Sequence, residues 1–149
     1  MPNAGDIIKA LDFPAAVAAA EDTSGTTTST TYTSTLTGGV ACGVTFVAPT
    51  SGRVIVHNAA LLDHSSASGE TYLGWILRTG STVGSGTVVV GANDSRAILH
   101  VGTAAERHGA DHLVGGLTPG ATYNIIQAFR TSASTATYAN KVLIVTPTT

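Results

Sequence analysis

Residues 71–78 read Thr71-Tyr72-Leu73-Gly74-Trp75-Ile76-Leu77-Arg78, and this run sets the fold class. Leu73, Trp75 and Leu77 occupy every second position, the period of a β-strand with one face in a core. The other face, Tyr72, Gly74, Ile76 and Arg78, is mixed rather than polar. Working outward, similar short runs recur at Tyr32–Leu36, Val44–Ala48, Arg53–Leu62, Thr87–Val90, Arg96–Val101, His112–Val114, Thr122–Arg130 and Lys141–Thr146. Turn residues bound them: Gly38-Gly39, Pro49 to Gly52, Ser66 to Gly69, Gly84 to Gly86, Asn93-Asp94 and Thr118 to Gly120. Short strands at regular spacing, with no helical period between them, predict an all-β antiparallel sandwich or barrel.

The 149 residues fit one domain. Seven Lys or Arg stand against nine Asp or Glu, and charged residues reach only 11%, where a globular chain carries about 25%. Small residues replace them, with 24 Thr, 12 Ser and 17 Gly. A pI of about 6.1, with the five Arg scattered singly, excludes the basic patch of a nucleic-acid binder. No apolar run approaches the roughly 18 residues of a membrane span. The single Cys42 excludes an internal disulfide and reads as a small buried hydrophobe. Asp6, Lys9, Asp12 and Pro14 interrupt any secretory core in the first twenty residues, so a chain made and folded in a cytoplasm is expected.

Three zones follow. Residues 1–22 hold four of the nine acids and the Ala15–Ala20 stretch AAVAAA; alanine's propensity predicts a short helix over Phe13–Glu21. Such a helix is marginal alone, so this zone reads as an anchor segment that needs something to pack on, with Ile7, Ile8, Leu11, Phe13 and Val17 as its apolar contacts. Residues 23–31, TSGTTTSTT, read as a Ser/Thr linker. The β domain occupies residues 32–149.

Within that domain Tyr123, Ile125 and Phe129 share one face while Ile126 and Ala128 take the other, and Val142 to Val145 are apolar on both. With no helix to cover a second apolar face, another copy of the chain is the expected cover. Ile126, Ala128, Leu143 and Val145 are therefore the expected oligomer contacts.

Chemistry-bearing residues are sparse. Glu106, His108, Asp111 and His112 lie in one short segment and could supply ligands to a divalent ion. Gly109 argues against a helix there, and a solvated loop is the plainer reading, so no metal and no cofactor is assigned. His57 and His100 fall in strands and read as sheet-edge or subunit contacts; His64 reads as a polar-loop residue, and Trp75 as core. No G-x-S-x-G elbow is present, and Ser85 sits in a Gly84-Ser85-Gly86 turn. The acids Asp63, Glu70, Asp94, Glu106 and Asp111 all fall in expected loops, so no catalytic residues are assigned and the chain is expected not to be an enzyme. A recognition role would use the loops Asp63–Glu70, Gly91–Ser95 and Thr103–Asp111, with a host cell-surface glycan as ligand.

Two resemblances add to this. Gly116-Leu117-Thr118-Pro119-Gly120-Ala121-Thr122-Tyr123 resembles the L-x-P-G-x-x-Y corner of fibronectin type III domains, which implies a buried Leu and a Tyr hydroxyl closing a turn between strands. An immunoglobulin- or fibronectin-like adhesion module is thus an alternative. The opening Ala4 to Pro14 (AGDIIKALDFP), together with Phe46 to Val54 (FVAPTSGRV) and the closing corner and strand, resembles small virion proteins of tailed phages that infect actinobacteria. That resemblance implies an N-terminus docked on another virion protein and a β-rich domain projecting outward as a homotrimeric jelly roll of the C1q and tumour necrosis factor kind. A tail, fibre or capsid-decoration component of a virion, assembled in the host cytoplasm, is the function it implies.

Overall fold

The computed structural model describes residues 14–149. Ten strands succeed one another: β1 (Val17–Glu21), β2 (Gly25–Thr27), β3 (Gly43–Val47), β4 (Val54–His64), β5 (Glu70–Thr79), β6 (Val88–Val90), β7 (Ile98–Val101), β8 (Glu106–Val114), β9 (Thr122–Thr131) and β10 (Ala136–Pro147). Among the described residues there is no α-helix, only a 3-10 turn at Asp94–Arg96.

Two five-stranded sheets form. One runs β1-β10-β4-β8, with β2 also on β10; the other runs β3-β9-β5-β6, with β7 also on β5. All pairings are antiparallel. The pairs β1/β10, β3/β9, β4/β8 and β5/β7 are nested, as in one long hairpin folded over itself. That is the jelly-roll arrangement, and its strand order differs from the immunoglobulin order. The immunoglobulin-like alternative is therefore set aside.

The core lies between the sheets. Leu73, Trp75 and Leu77 of β5 are buried as their alternation requires. Trp75 and Leu77 cluster with Val54, Val56, Leu143 and Val145 of the other sheet and with Phe46, Tyr123 and Ile125, while Leu73 packs in a second cluster with Leu62, Phe129 and Tyr138. Cys42 is buried and free. The Leu117–Tyr123 corner carries the chain from β8 in one sheet to β9 in the other. Leu117 is buried, and the Thr118 N–H donates to the Tyr123 hydroxyl at 3.0 Å.

Several expectations are corrected. The stretch AAVAAA forms β1, not a helix: Val17 to Glu21 pair with Val145 to Lys141. An open edge on β10 satisfies a ladder of backbone groups, whereas an isolated two-turn helix lies below the nucleation threshold. The Ser/Thr stretch contributes β2, paired with Ala136 to Tyr138, so it is part of the sheet. Tyr32–Leu36 makes only an isolated bridge, Thr33 to Phe129; Ser29–Thr31 and Thr33–Thr35 side-chain hydrogen bonds compete with a regular ladder. The segment ERHGADH is the body of β8 rather than a loop. His64 closes β4 as a buried residue, its Nε2 at 2.8 Å from the Ala133 carbonyl.

Candidate functional site

The expected anchor residues Ile7, Ile8, Leu11 and Phe13 lie outside the described residues. Val17 does not face outward: it packs against the core from β1. The four expected oligomer contacts are likewise internal. Leu143 and Val145 are in the core, and Ile126 and Ala128, on the second face of β9, are buried too. That second face is covered by this chain itself. The 80–86 loop crosses it, with the Gly84 N–H donating to Asn124 Oδ1 at 3.0 Å and the Asn124 amide donating to the carbonyls of Thr79, Gly80 and Ser85. Tyr32 lies beside Gly74 and is pinned by its hydroxyl donating to Asp94 Oδ1 at 2.9 Å. Asp94 also receives Arg130 Nε at 2.9 Å, and the Arg130 guanidinium stacks 3.7 Å over the Tyr72 ring. Alternation in the sequence exposes which face a residue takes, not which loop returns to cover it.

Among the described residues an uncovered apolar surface lies on the outer face of the β1-β10-β4-β8 sheet. Strand register places Ala18 beside Ile144, Ala20 beside Val142, Ile144 beside His57 and Ile55 beside Leu113. Leu113 is 65% exposed and Ile55 36%; Val142 and Ile144 are half-buried. One polar pair crosses this face, His57 Nδ1 to Asp111 Oδ1 at 2.6 Å, a direct cross-strand neighbour pair.

Because β8 is a strand, the four residues singled out for metal binding separate. Asp111 takes the outer face with His57. Glu106, His108 and His112, at even spacings of two and four residues, take the inner side. His112 stacks edge-on to Trp75, and both line a cleft with Val90, Arg96 and Leu113. Trp75 Nε1 and His112 Nδ1 have no hydrogen-bond partner among the described residues. Glu106 and His108 instead meet His100 of β7, expected as a sheet-edge or subunit contact. His100 Nδ1 is 3.3 Å from His108 Nε2, and Glu106 Oε2 lies 3.3 Å from His108 Nε2 and 3.8 Å from His100 Nδ1. These three residues could hold a metal ion. No spacing signal could have joined them, since the partners come from the edges of different sheets.

No protein-family model matches the chain, and no curated protein sequence is similar to it. Solved structures are. A chain in the structure of infectious bursal disease virus Gt strain aligns over 91% of this chain at TM-score 0.50 and 12% identity. The common element is the fold. This chain spans about a third of that chain's length, the aligned share being 32%. Dimeric latent PorU from Porphyromonas gingivalis aligns over 90% of this chain and 13% of its own, at TM-score 0.43 and 12% identity. The enzymatically active domain of bacteriophage CBA120 tailspike protein 4 aligns over 86% and 19%, at TM-score 0.33 and 9% identity.

Proposed function

We propose that this chain is a non-enzymatic structural subunit of a phage virion, a tail, fibre or capsid-decoration component, that assembles as a homotrimer. The observation that carries the reading is the outer face of the β1-β10-β4-β8 sheet, where Ile55, Leu113, Val142 and Ile144 form an apolar surface that no other part of the described chain covers. Contiguous apolar surface of this kind marks an assembly site, and closed symmetry lets one patch be buried in every copy. The jelly-roll fold shared with the infectious bursal disease virus chain and the phage-like opening at Ala4 to Pro14 support the placement on a particle. Residues 1–13 then serve as the docking segment for another virion protein, ahead of a β1 that is built into the sheet.

Size-exclusion chromatography with light scattering on the full chain tests the assembly. The expected mass is that of a trimer, and Ile55→Asp with Leu113→Asp together should yield a monomer. A monomeric wild-type chain overturns it. Antibody labelling of purified particles tests the placement, and unlabelled particles overturn that part.

A second reading, recognition of a host-surface glycan, draws on the meeting of two expected recognition segments at one end of the sandwich. There the N–H of Gly102, the residue just before Thr103–Asp111, donates to the carbonyl of Gly69 in Asp63–Glu70 at 3.2 Å. Glycan-array binding by the full chain supports this reading, and a blank array removes it.

A further inference from the structure

The inner side of β8 and the end of β7 close the seam between the two sheets, and three ligand-type side chains converge there. His100 is 4% exposed. Its Nε2 lies 3.0 Å from the Gly102 carbonyl, and a carbonyl can only accept, so Nε2 carries the proton. In the neutral ring Nδ1 is then a bare lone pair, and it faces His108 Nε2 at 3.3 Å. The carbonyl that fixes this tautomer is itself held in place. Gly102 has φ of +107°, a conformation only glycine adopts readily, and its N–H is tied to Gly69.

We propose that His100 Nδ1, His108 Nε2 and Glu106 Oε2 form a divalent transition-metal site of the zinc class that staples the two sheets together at this seam. Three points carry the assignment. With metal–nitrogen bonds of about 2.0–2.1 Å, tetrahedral ligand atoms sit about 3.3–3.4 Å apart. The observed separations are 3.3, 3.3 and 3.8 Å, and the longest involves Glu106, whose side chain is 58% exposed and free to adjust. A backbone carbonyl orienting the second ring nitrogen is the usual outer support of a metal-bound histidine; here it is Gly102. In the absence of an ion, a single proton on His108 Nε2 faces two acceptors, the His100 lone pair and the Glu106 carboxylate. One cation satisfies all three. The set of two imidazoles and one carboxylate suits zinc and its neighbours rather than magnesium or calcium. The exposed flank of Glu106 and His108 (58% and 32%) leaves an entry path and a position for water.

The assignment is independent of the virion reading, since it concerns one chain. It is tested on the full, tag-free chain, stripped with chelator and titrated with Zn²⁺ by calorimetry. Binding of one ion per chain is expected, with a rise in thermal midpoint and, for Co²⁺ in place of Zn²⁺, visible absorption of tetrahedral or five-coordinate intensity. His108→Gln and Glu106→Gln, both at partly exposed positions, should each weaken binding at least 10–100-fold, the range for loss of even an outer-shell partner. His57→Gln, on the opposite face of the same sheet, should leave it unchanged. No binding by the wild type at 100-fold excess Zn²⁺ overturns the proposal. So does binding that survives the His108→Gln, Glu106→Gln double variant.

Discussion

The Gln127 side chain of β9 donates to Asn58 Oδ1 of β4 at 2.7 Å, joining the two sheets through the middle of the sandwich. Both residues are buried. Gln127 Nε2 also reaches the carbonyls of Ala59 and Val142, and the Asn58 amide donates to the Gly74 carbonyl at 3.3 Å. This bridge separates an apolar cluster around Trp75, Tyr123 and Leu143 from a second around Leu62, Phe129 and Tyr138. A buried amide is costly only when its partner is missing. Asn58→Leu or Gln127→Met alone should therefore cost about 1–3 kcal/mol. The double variant should cost less than the sum, as read from a urea-unfolding cycle.

The edge made by β1 gives a length-dependent outcome. Removing residues 1–13 leaves every described strand in place, so the thermal midpoint should stay near that of the full chain. Removing residues 1–22 takes away the five-residue ladder with β10 and the packing of Val17 and Ala19 on the core. It also bares the β10 edge, which invites strand pairing between chains. A lower midpoint with aggregation is expected, followed by differential scanning fluorimetry and light scattering. An equal midpoint for the two truncations would contradict the role given to β1.

Burial raises the Cys42 thiol from 9.0 to about 11, the largest cause being desolvation, opposed by the Lys141 charge. The Cys42 thiol also lies against the Ala19 carbonyl at 3.7 Å. The folded chain thus keeps a proton that the unfolded chain releases above about pH 9, so this contribution is complete below pH 9 and is lost as pH rises through 11. The stability difference between wild type and Cys42→Ala should shrink across that interval. In the native state the thiol should resist alkylation at pH 8, a measurement of Cys42 accessibility as well as of its ionisation.

Lys141 shows the opposite sign. Its side chain is buried where β10 carries a register irregularity between Ala139 and Val142, and its Nζ donates to the Thr23 carbonyl in the break between β1 and β2. Desolvation lowers its pKa, while Glu21 opposes the shift. The unfolded chain then binds the extra proton, so wild-type stability should rise relative to Lys141→Met as pH increases toward the ordinary lysine value of about 10.4. Denaturant midpoints between pH 7 and 10 check the direction.

The corner at Tyr123 offers a single-atom test. Tyr123→Phe removes the acceptor of the Thr118 N–H while leaving the ring stacked on Phe46. A loss of about 1 kcal/mol is expected in urea unfolding, whereas Leu117→Ala, which empties a buried site, should cost about 2–5 kcal/mol.

Much of this architecture is readable along the chain. Period-two alternation at Leu73, Trp75 and Leu77 and the turn residues between runs yield β5 and its neighbours, because a side chain's face in a strand depends on local geometry alone. The Leu117–Tyr123 corner is equally local, its donor and acceptor lying five residues apart. Local propensity fails at Ala15 to Ala20, where the outcome depends on an edge more than 120 residues away in sequence. It fails again at ERHGADH, where charge and glycine resemble a loop but the residues pair along β4.

What cannot be legible in one dimension is which surfaces meet. Ile126 and Ala128 carry the apolar character of an interface, yet the 80–86 loop and Tyr32 close over that face, while Ile55 and Leu113 on the other sheet stay exposed. Likewise the pairing of His100 with Glu106 and His108 follows from two sheet edges converging at a seam. Alternation and turns are properties of neighbouring residues and so are written in the order of the chain. Coverage and convergence are properties of space, settled by how the nested hairpin folds over.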